Sequence, residues 1–245
     1  MKTLVIIPSR LSATRLPGKP LLKINGLSII SHVFRKAEEA NIGEVIVATE
    51  DQEIMDDVKQ NGGQAILTNS QHQTGTDRIY EAVQKLNRSD VDLIMNLQGD
   101  EPLINVEDIK NLNNQMIQNK SHLGTLATKF LNEKSYNDQN VVKVITKEKL
   151  DISNFPEALN FSRNILKENK NIYHHLGIYC YDMATLKSFT SFKQSQNEIK
   201  NNLEQLRAID NKIRINVALA KSNSIGVDTK EDFVAIKKIM EYKSE

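Results

Sequence analysis

Twelve residues near the N-terminus, Ser9-Arg10-Leu11-Ser12-Ala13-Thr14-Arg15-Leu16-Pro17-Gly18-Lys19-Pro20, gather three cations, hydroxyl side chains and a glycine. The two prolines prevent the stretch from continuing as helix or strand. A loop of this composition suits a polyphosphate. Glycine lets backbone N–H groups approach the anion, and each arginine fork can meet two phosphate oxygens at once. Lys19 is placed to follow the negative charge that builds on a departing pyrophosphate. The spacing Arg-x4-Arg-x3-Lys lacks the second glycine and the Lys-Ser/Thr ending of a P-loop, which argues against an ATPase of that type.

Such a loop needs a strand to deliver it, and Leu4–Ile7 directly precedes it. Short apolar runs recur at Val45–Thr49, Ala65–Thr68, Leu93–Leu97, Leu123–Lys129, Val141–Thr146, Leu176–Tyr181 and Ile213–Leu219, and read as strands. Between them Ile29–Ala40, Gln52–Asn61 and Asp77–Leu86 place apolar residues at helical spacing, and Gly62-Gly63 stops the second. Lys230–Tyr242 predicts a packing helix with Phe233, Ile236, Ile239 and Met240 on one face. Alternation of this kind implies βαβ units and a mainly parallel sheet, with ligands gathered beyond the carboxyl ends of the strands. The pattern loosens from about residue 131 to 173, with one short strand inside. The expectation is a single domain over 1–245 carrying an insertion or arm there.

A net charge of +1 excludes a field of one sign, so neither nucleic acid nor a membrane surface is an expected partner. An anionic substrate must instead be held by a local cluster of cations. The single cysteine, Cys180, rules out a disulfide within the chain and reads as an inert buried thiol. The apolar run after Met1 is too short for a signal segment and no stretch is long enough to span a membrane, so a cytoplasmic protein is expected.

Taken together, Arg10-x4-Arg15-Leu16-Pro17-Gly18-Lys19-Pro20, His72-Gln73-Thr74-Gly75-Thr76-Asp77-Arg78, Asn96-Leu97-Gln98-Gly99-Asp100-Glu101-Pro102, Val142-Lys143-Val144, Phe161-Ser162-Arg163, His175-Leu176-Gly177-Ile178-Tyr179, Leu203-Glu204-Gln205-Leu206-Arg207 and Gly226-Val227-Asp228-Thr229 resemble, in order, the 3-deoxy-manno-octulosonate (Kdo) cytidylyltransferases. The resemblance implies a three-layer α/β/α nucleotidyltransferase fold with a mainly parallel mixed sheet and a Rossmann-like N-terminal half. It implies transfer of CMP from CTP to Kdo for lipopolysaccharide synthesis, and a homodimer. CTP rather than UTP rests on the resemblance alone.

Asp100 stands just past an apolar run and Asp228 after another. Two carboxylates, with water and phosphate oxygens, make the sparse hard-oxygen set that Mg2+ takes, and the resemblance gives them this role. Asp228 also suits the cap of the C-terminal helix, as does Thr229. Arg10, Arg15, Lys19 and Asp100 are the expected catalytic residues. Arg10, Thr14, Arg15, Lys19, Thr74, Gly75, Thr76, Arg78 and Gln98 are expected at the nucleotide, although Thr74 or Thr76 would equally serve as a helix cap. Arg163 suits a sugar carboxylate. Gln98, His175, Tyr179, Glu204 and Gln205 can bond sugar hydroxyls, while a core tyrosine and a structural histidine remain alternatives. Two departures from the family pattern stand out. Asn164-Ile165-Leu166-Lys167 follows Phe-Ser-Arg without a proline, and Ala13 replaces a usual serine. A sialate cytidylyltransferase and a CTP-binding regulator without activity are the rival readings.

Overall fold

The computed structural model describes residues 1–12, 15–164, 170–223 and 226–242. Two compact units divide the chain, residues 2–109 with 224–245 and residues 110–223 with Met1.

The first unit contains β1 (Thr3–Ser9), the two-strand ribbon β2 (Lys23–Ile24) and β3 (Leu27–Ser28), α1 (Ile29–Ala40), β4 (Gly43–Thr49), α2 (Gln52–Gln60), β5 (Ala65–Leu67), α3 (Gly75–Leu86) and β6 (Leu93–Asn96). Strands run in the order β6-β1-β4-β5, and all these pairings are parallel. Leu4, Val5, Ile6 and Ile7 are all at most 1% exposed, as expected of a strand covered on both faces. Ser28 caps α1, its hydroxyl accepting from the Ser31 N–H at 3.2 Å, and Ile30, Val33, Phe34 and Ala37 supply the buried stripe. The parallel arrangement has one consequence for function. The segments leaving β1, β5 and β6 all emerge at the same sheet edge.

The C-terminal helix Lys230–Tyr242 packs through Ile236 into a cluster with Ile24, Ile29 and Val227, with Phe233 and Met240 beside it. Ile239, expected on that buried face, is 39% exposed instead.

The second unit follows a helix, α4 (Val106–Asn119), within which the boundary falls. It comprises β7 (Leu123–Thr128), α5 (Glu133–Asn137), β8 (Lys143–Thr146), β9 (Ala158–Ser162), β10 (Ile172–Asp182), α6 (Met183–Ser191), α7 (Gln196–Asn201), α8 (Leu206–Asp210) and β11 (Asn216–Leu219). Here β11 pairs parallel with β7, whereas β10 runs antiparallel to both β7 and β8, and β9 antiparallel to β8. The looser stretch 131–173 thus holds, among its described residues, a short helix, the strands β8 and β9 and the start of β10, rather than one strand. Its β9 escapes a sequence reading because Leu159 and Asn160 both face solvent, which breaks the apolar alternation. Arg207 and Glu198, 2% and 3% exposed, form a buried ion pair at 2.6 Å, with the guanidinium 4.7 Å from the Phe189 ring centre. Among the described residues no helix is long and apolar enough to cross a membrane.

Candidate active site

At the carboxyl ends of β1, β5 and β6, a cleft of about 390 Å³ opens within the first unit. Its lining includes Arg10, Arg15, Lys19, Gly75, Arg78, Gln98, Asp100 and Asp228. Gly18 adopts a left-handed conformation, φ 67°, that starts a single 3-10 turn over Lys19–Leu21. That turn, with Pro20 buried beneath it, fixes the base of the Lys19 side chain. The Lys19 ammonium donates to Asp100 Oδ2 at 2.6 Å and to Asp228 Oδ1 at 3.3 Å. Arg15 Nη2 lies 3.5 Å from Asp228 Oδ2.

Local backbone chemistry explains why the carboxylates meet. Gly99 permits the tight passage before Asp100, because a Cβ there would sit 2.9 Å from the Pro8 carbonyl oxygen. The Val227 N–H donates to the Asp100 carbonyl at 2.9 Å, tying the two carboxylate-bearing segments together. Thr229, not Asp228, caps the C-terminal helix: its hydroxyl accepts from the Asp232 N–H at 3.1 Å, and Asp232 Oδ2 accepts the Thr229 N–H at 2.8 Å. Asp228 is thereby released from capping and turned to the cations.

The 68–78 segment forms a second wall. Thr74 caps α3, accepting from the Asp77 N–H at 3.2 Å and donating to Asp77 Oδ2 at 2.8 Å. Thr76 is 1% exposed and is not among the described cleft-lining residues, because its place in the first turn points it into the core. Arg78 reaches the cleft but is 3% exposed and already committed: Nη2 donates to Glu50 and Nη1 to Thr68 Oγ1 at 2.7 Å. It lies in the lining of the cleft, as expected, and its partners give it a wall-building role. His72 also lines the cleft, and its Nε2 bonds Glu81. Burial pushes the Glu81 carboxyl up, but bonds from Lys85, His72 and the Asn69 N–H outweigh it and bring it down to about 2. Reading the sequence for charge and capping gives His72 no role, although it opens the His72–Arg78 motif that carries the resemblance. Thr14 and Ala13 lie outside the described residues.

The remaining residues expected at the sugar belong to the second unit. His175 and Tyr179 lie on β10 with ring centres 5.5 Å apart, and the edge of Phe161 packs on His175 at 5.0 Å. Burial, with a smaller push from His174, lowers the His175 imidazole to about 3, so the ring is neutral. Burial also raises the Tyr179 phenol, with help from Tyr181 and Glu204, which places Glu204 in the same neighbourhood. Gln205, 7% exposed, precedes α8. Arg163 follows β9, and its Nη1 donates to the carbonyls of Asn140 at 3.1 Å and Gln139 at 3.5 Å. Lys143 underlies it with an ammonium that donates to three carbonyls, those of Asp138, Val141 and Arg163, at 2.6, 2.9 and 3.0 Å. The 165–169 stretch of the departing loop lies outside the described residues.

Comparison with known proteins identifies the family. The profile of the cytidylyltransferase family matches residues 4–215. A 3-deoxy-manno-octulosonate cytidylyltransferase of Thermodesulfovibrio yellowstonii is 40% identical, covering 98% of each chain. Among solved structures, a CMP:2-keto-3-deoxy-manno-octonic acid synthetase complexed with CTP superimposes with a TM-score of 0.90 at 32% identity, over 99% of this chain and 100% of that one. A UDP-glucose pyrophosphorylase shares the α/β nucleotidyltransferase fold at a TM-score of 0.73 and 12% identity, over 100% of both chains. The chain belongs to the cytidylyltransferase family and, within it, to the 3-deoxy-manno-octulosonate cytidylyltransferases.

Proposed function

We propose that the chain transfers CMP from CTP to Kdo, giving CMP-Kdo and pyrophosphate, and that the activated sugar serves lipopolysaccharide synthesis. The observation that carries this reading is the convergence of Lys19 and Arg15 with Asp100 and Asp228 at the mouth of β1. A nucleotidyl transfer needs positioning and charge stabilisation rather than a covalent intermediate. Arg10, Arg15 and Lys19 hold the β- and γ-phosphates, so the bridging oxygen leaves into a field already arranged for its charge. Gln98 and the 72–75 turn bound the base and ribose. In the second unit, Arg163 meets the Kdo carboxylate, while His175, Tyr179, Glu204 and Gln205 bond its hydroxyls. The anomeric hydroxyl then attacks the α-phosphorus.

Asp100 and Asp228 fit Mg2+. Both are drawn to one ammonium, as two carboxylates sharing a cation site would be. Among the described residues no third carboxylate, histidine or cysteine groups with them, which leaves water and phosphate oxygens to complete the shell, the usual arrangement for this ion. When bound, Mg2+ supplies charge neutralisation on the phosphates and lowers the pKa of a bound hydroxyl.

A homodimer is part of the same proposal, supported by the exposure of Leu131, Ile152 and Leu159 on the second unit. Light scattering should return twice the chain mass. The activity is tested by incubating the protein with CTP, Mg2+ and either Kdo or a sialic acid, and identifying the product by mass spectrometry. CMP-Kdo alone is expected. CMP-sialate, or no CMP-sugar at all, rejects the reading.

A further inference from the structure

In the second unit, β10 departs from regular pairing at the point where it carries its polar aromatic residues. His175 stands opposite Ala127 and Leu176 opposite Leu126, but the next pair is Tyr179 with Thr125. Gly177 and Ile178 are therefore accommodated in a bulge. Thr125, 0% exposed, fills the bend with its hydroxyl. That oxygen lies 2.7 Å from the Ile178 carbonyl, 3.2 Å from the Leu176 carbonyl and 3.0 Å from Nε2 of His175.

The donor inventory leaves one consistent arrangement. A hydroxyl has a single proton, and a carbonyl can only accept. Two bare oxygens would repel at 2.7 Å, so the Thr125 proton must point at the Ile178 carbonyl. The hydroxyl then has only lone pairs to offer His175, and the imidazole must be the donor through Nε2. An imidazolium is excluded by burial, since this ring stays neutral down to about pH 3. A neutral ring protonated on Nε2 carries its lone pair on Nδ1.

We propose that Thr125 is a positioning residue that locks His175 in the Nε2–H tautomer, so that Nδ1 acts as an obligate acceptor for a hydroxyl of the sugar. The role in sugar binding rests on the reading of His175 given above; the tautomer does not. The lock has a use in specificity. An acceptor that cannot become a donor rejects any analogue lacking the matching hydroxyl, because a desolvated lone pair would be left unpaired. It also rejects an analogue that presents an acceptor there, such as a carbonyl or ether oxygen, to which a free imidazole would switch tautomers and donate. The bulge contributes by supplying the carbonyl that captures the threonine proton. A regular strand would send that carbonyl into the ladder.

The test is two-bond 1H–15N correlation spectroscopy on the full chain labelled at histidine, without ligand, with the His175 signals identified by their loss in His175→Gln. The wild type and Thr125→Ser should show Nε2 protonated and Nδ1 bare at pH 7. Thr125→Val, which keeps the shape and loses the hydroxyl, should show mixed or reversed tautomers. It should also raise the KM for Kdo about tenfold, the loss of roughly one hydrogen bond, with the KM for CTP unchanged. Thr125→Ser should restore both readouts. A wild-type ring protonated on Nδ1 overturns the assignment, and does so even if Thr125→Val fails to fold. The expected tautomers with an unmoved Kdo KM in Thr125→Val overturn the role in specificity. If the wild type makes no CMP-Kdo, the proposed activity falls and the ligand-free spectrum still decides the tautomer.

Discussion

The two units prepare polar groups for a ligand in opposite ways. In the first, Arg15, Lys19, Asp100 and Asp228 sit on loops at strand ends, and their charges neutralise one another at the rim of an open cleft. In the second, His175 and Lys143 are 7% and 0% exposed, with the His175 Nε2 held by Thr125 and the Lys143 ammonium held by backbone carbonyls. A triphosphate is a dense, mobile charge, and loops with several cations can follow it as it changes hands. An acidic sugar carries a single carboxylate and otherwise offers directional hydroxyls, which buried and immobile partners discriminate best. The difference is between holding by charge and reading by geometry.

The largest effect should come from a residue that stands between the two modes. Arg78 lines the cleft but is buried against Glu50 and Thr68. Arg78→Met leaves Glu50 without its partner in a site 14% exposed, so stability should drop by about 3–5 kcal/mol in urea titrations. A variant of wild-type stability with weakened CTP binding would make Arg78 a ligand contact and blur the distinction. Next, Lys19→Ala and Asp100→Ala should each lower kcat about a hundredfold while folding normally, as expected for a charge-stabilising group on a loop. Wild-type turnover in either would remove the cationic loop from the mechanism.

A smaller effect tests the buried mode. His175 in the unfolded chain protonates near 6.5, whereas in the fold burial holds it to about 3. Below 6.5 the unfolded state therefore binds the extra proton, and stability is present above that pH and lost as pH falls toward 3. Between pH 7 and pH 5 this group should cost the wild type about 2 kcal/mol, a loss that His175→Gln does not show. Equal slopes in the two proteins would mean the ring is solvated.

This contrast also explains what the sequence reveals. Strands β1, β4, β5, β6 and β7 and helices α1 and α2 are legible because apolar periodicity is local. The cationic loop is legible because Arg10, Arg15 and Lys19 sit within ten residues of one another. Asp228 is readable as either cap or ligand. The bonds that the Thr229 and Asp228 N–H groups donate to Asp232, and the Val227 bond to Asp100, make Thr229 the cap and leave Asp228 open to the proposed ligand role. Thr125 and Glu81 stay silent, and Lys143 has a motif but no readable role, for a different reason. Each acts through a partner brought to it by tertiary folding, and a threonine in a strand or a lysine beside valines looks like ordinary strand chemistry. Helix α4 is likewise illegible, since Asn111, Asn113 and Asn114 dilute its apolar stripe.

The most direct test of the division of labour is steady-state kinetics on Arg15→Ala and Arg163→Ala, varying CTP and Kdo in turn. Arg15→Ala should raise the KM for CTP about tenfold and leave that for Kdo, and Arg163→Ala should do the reverse, each losing one charge-assisted contact. Equal shifts for both substrates, or the opposite pairing, would contradict the account.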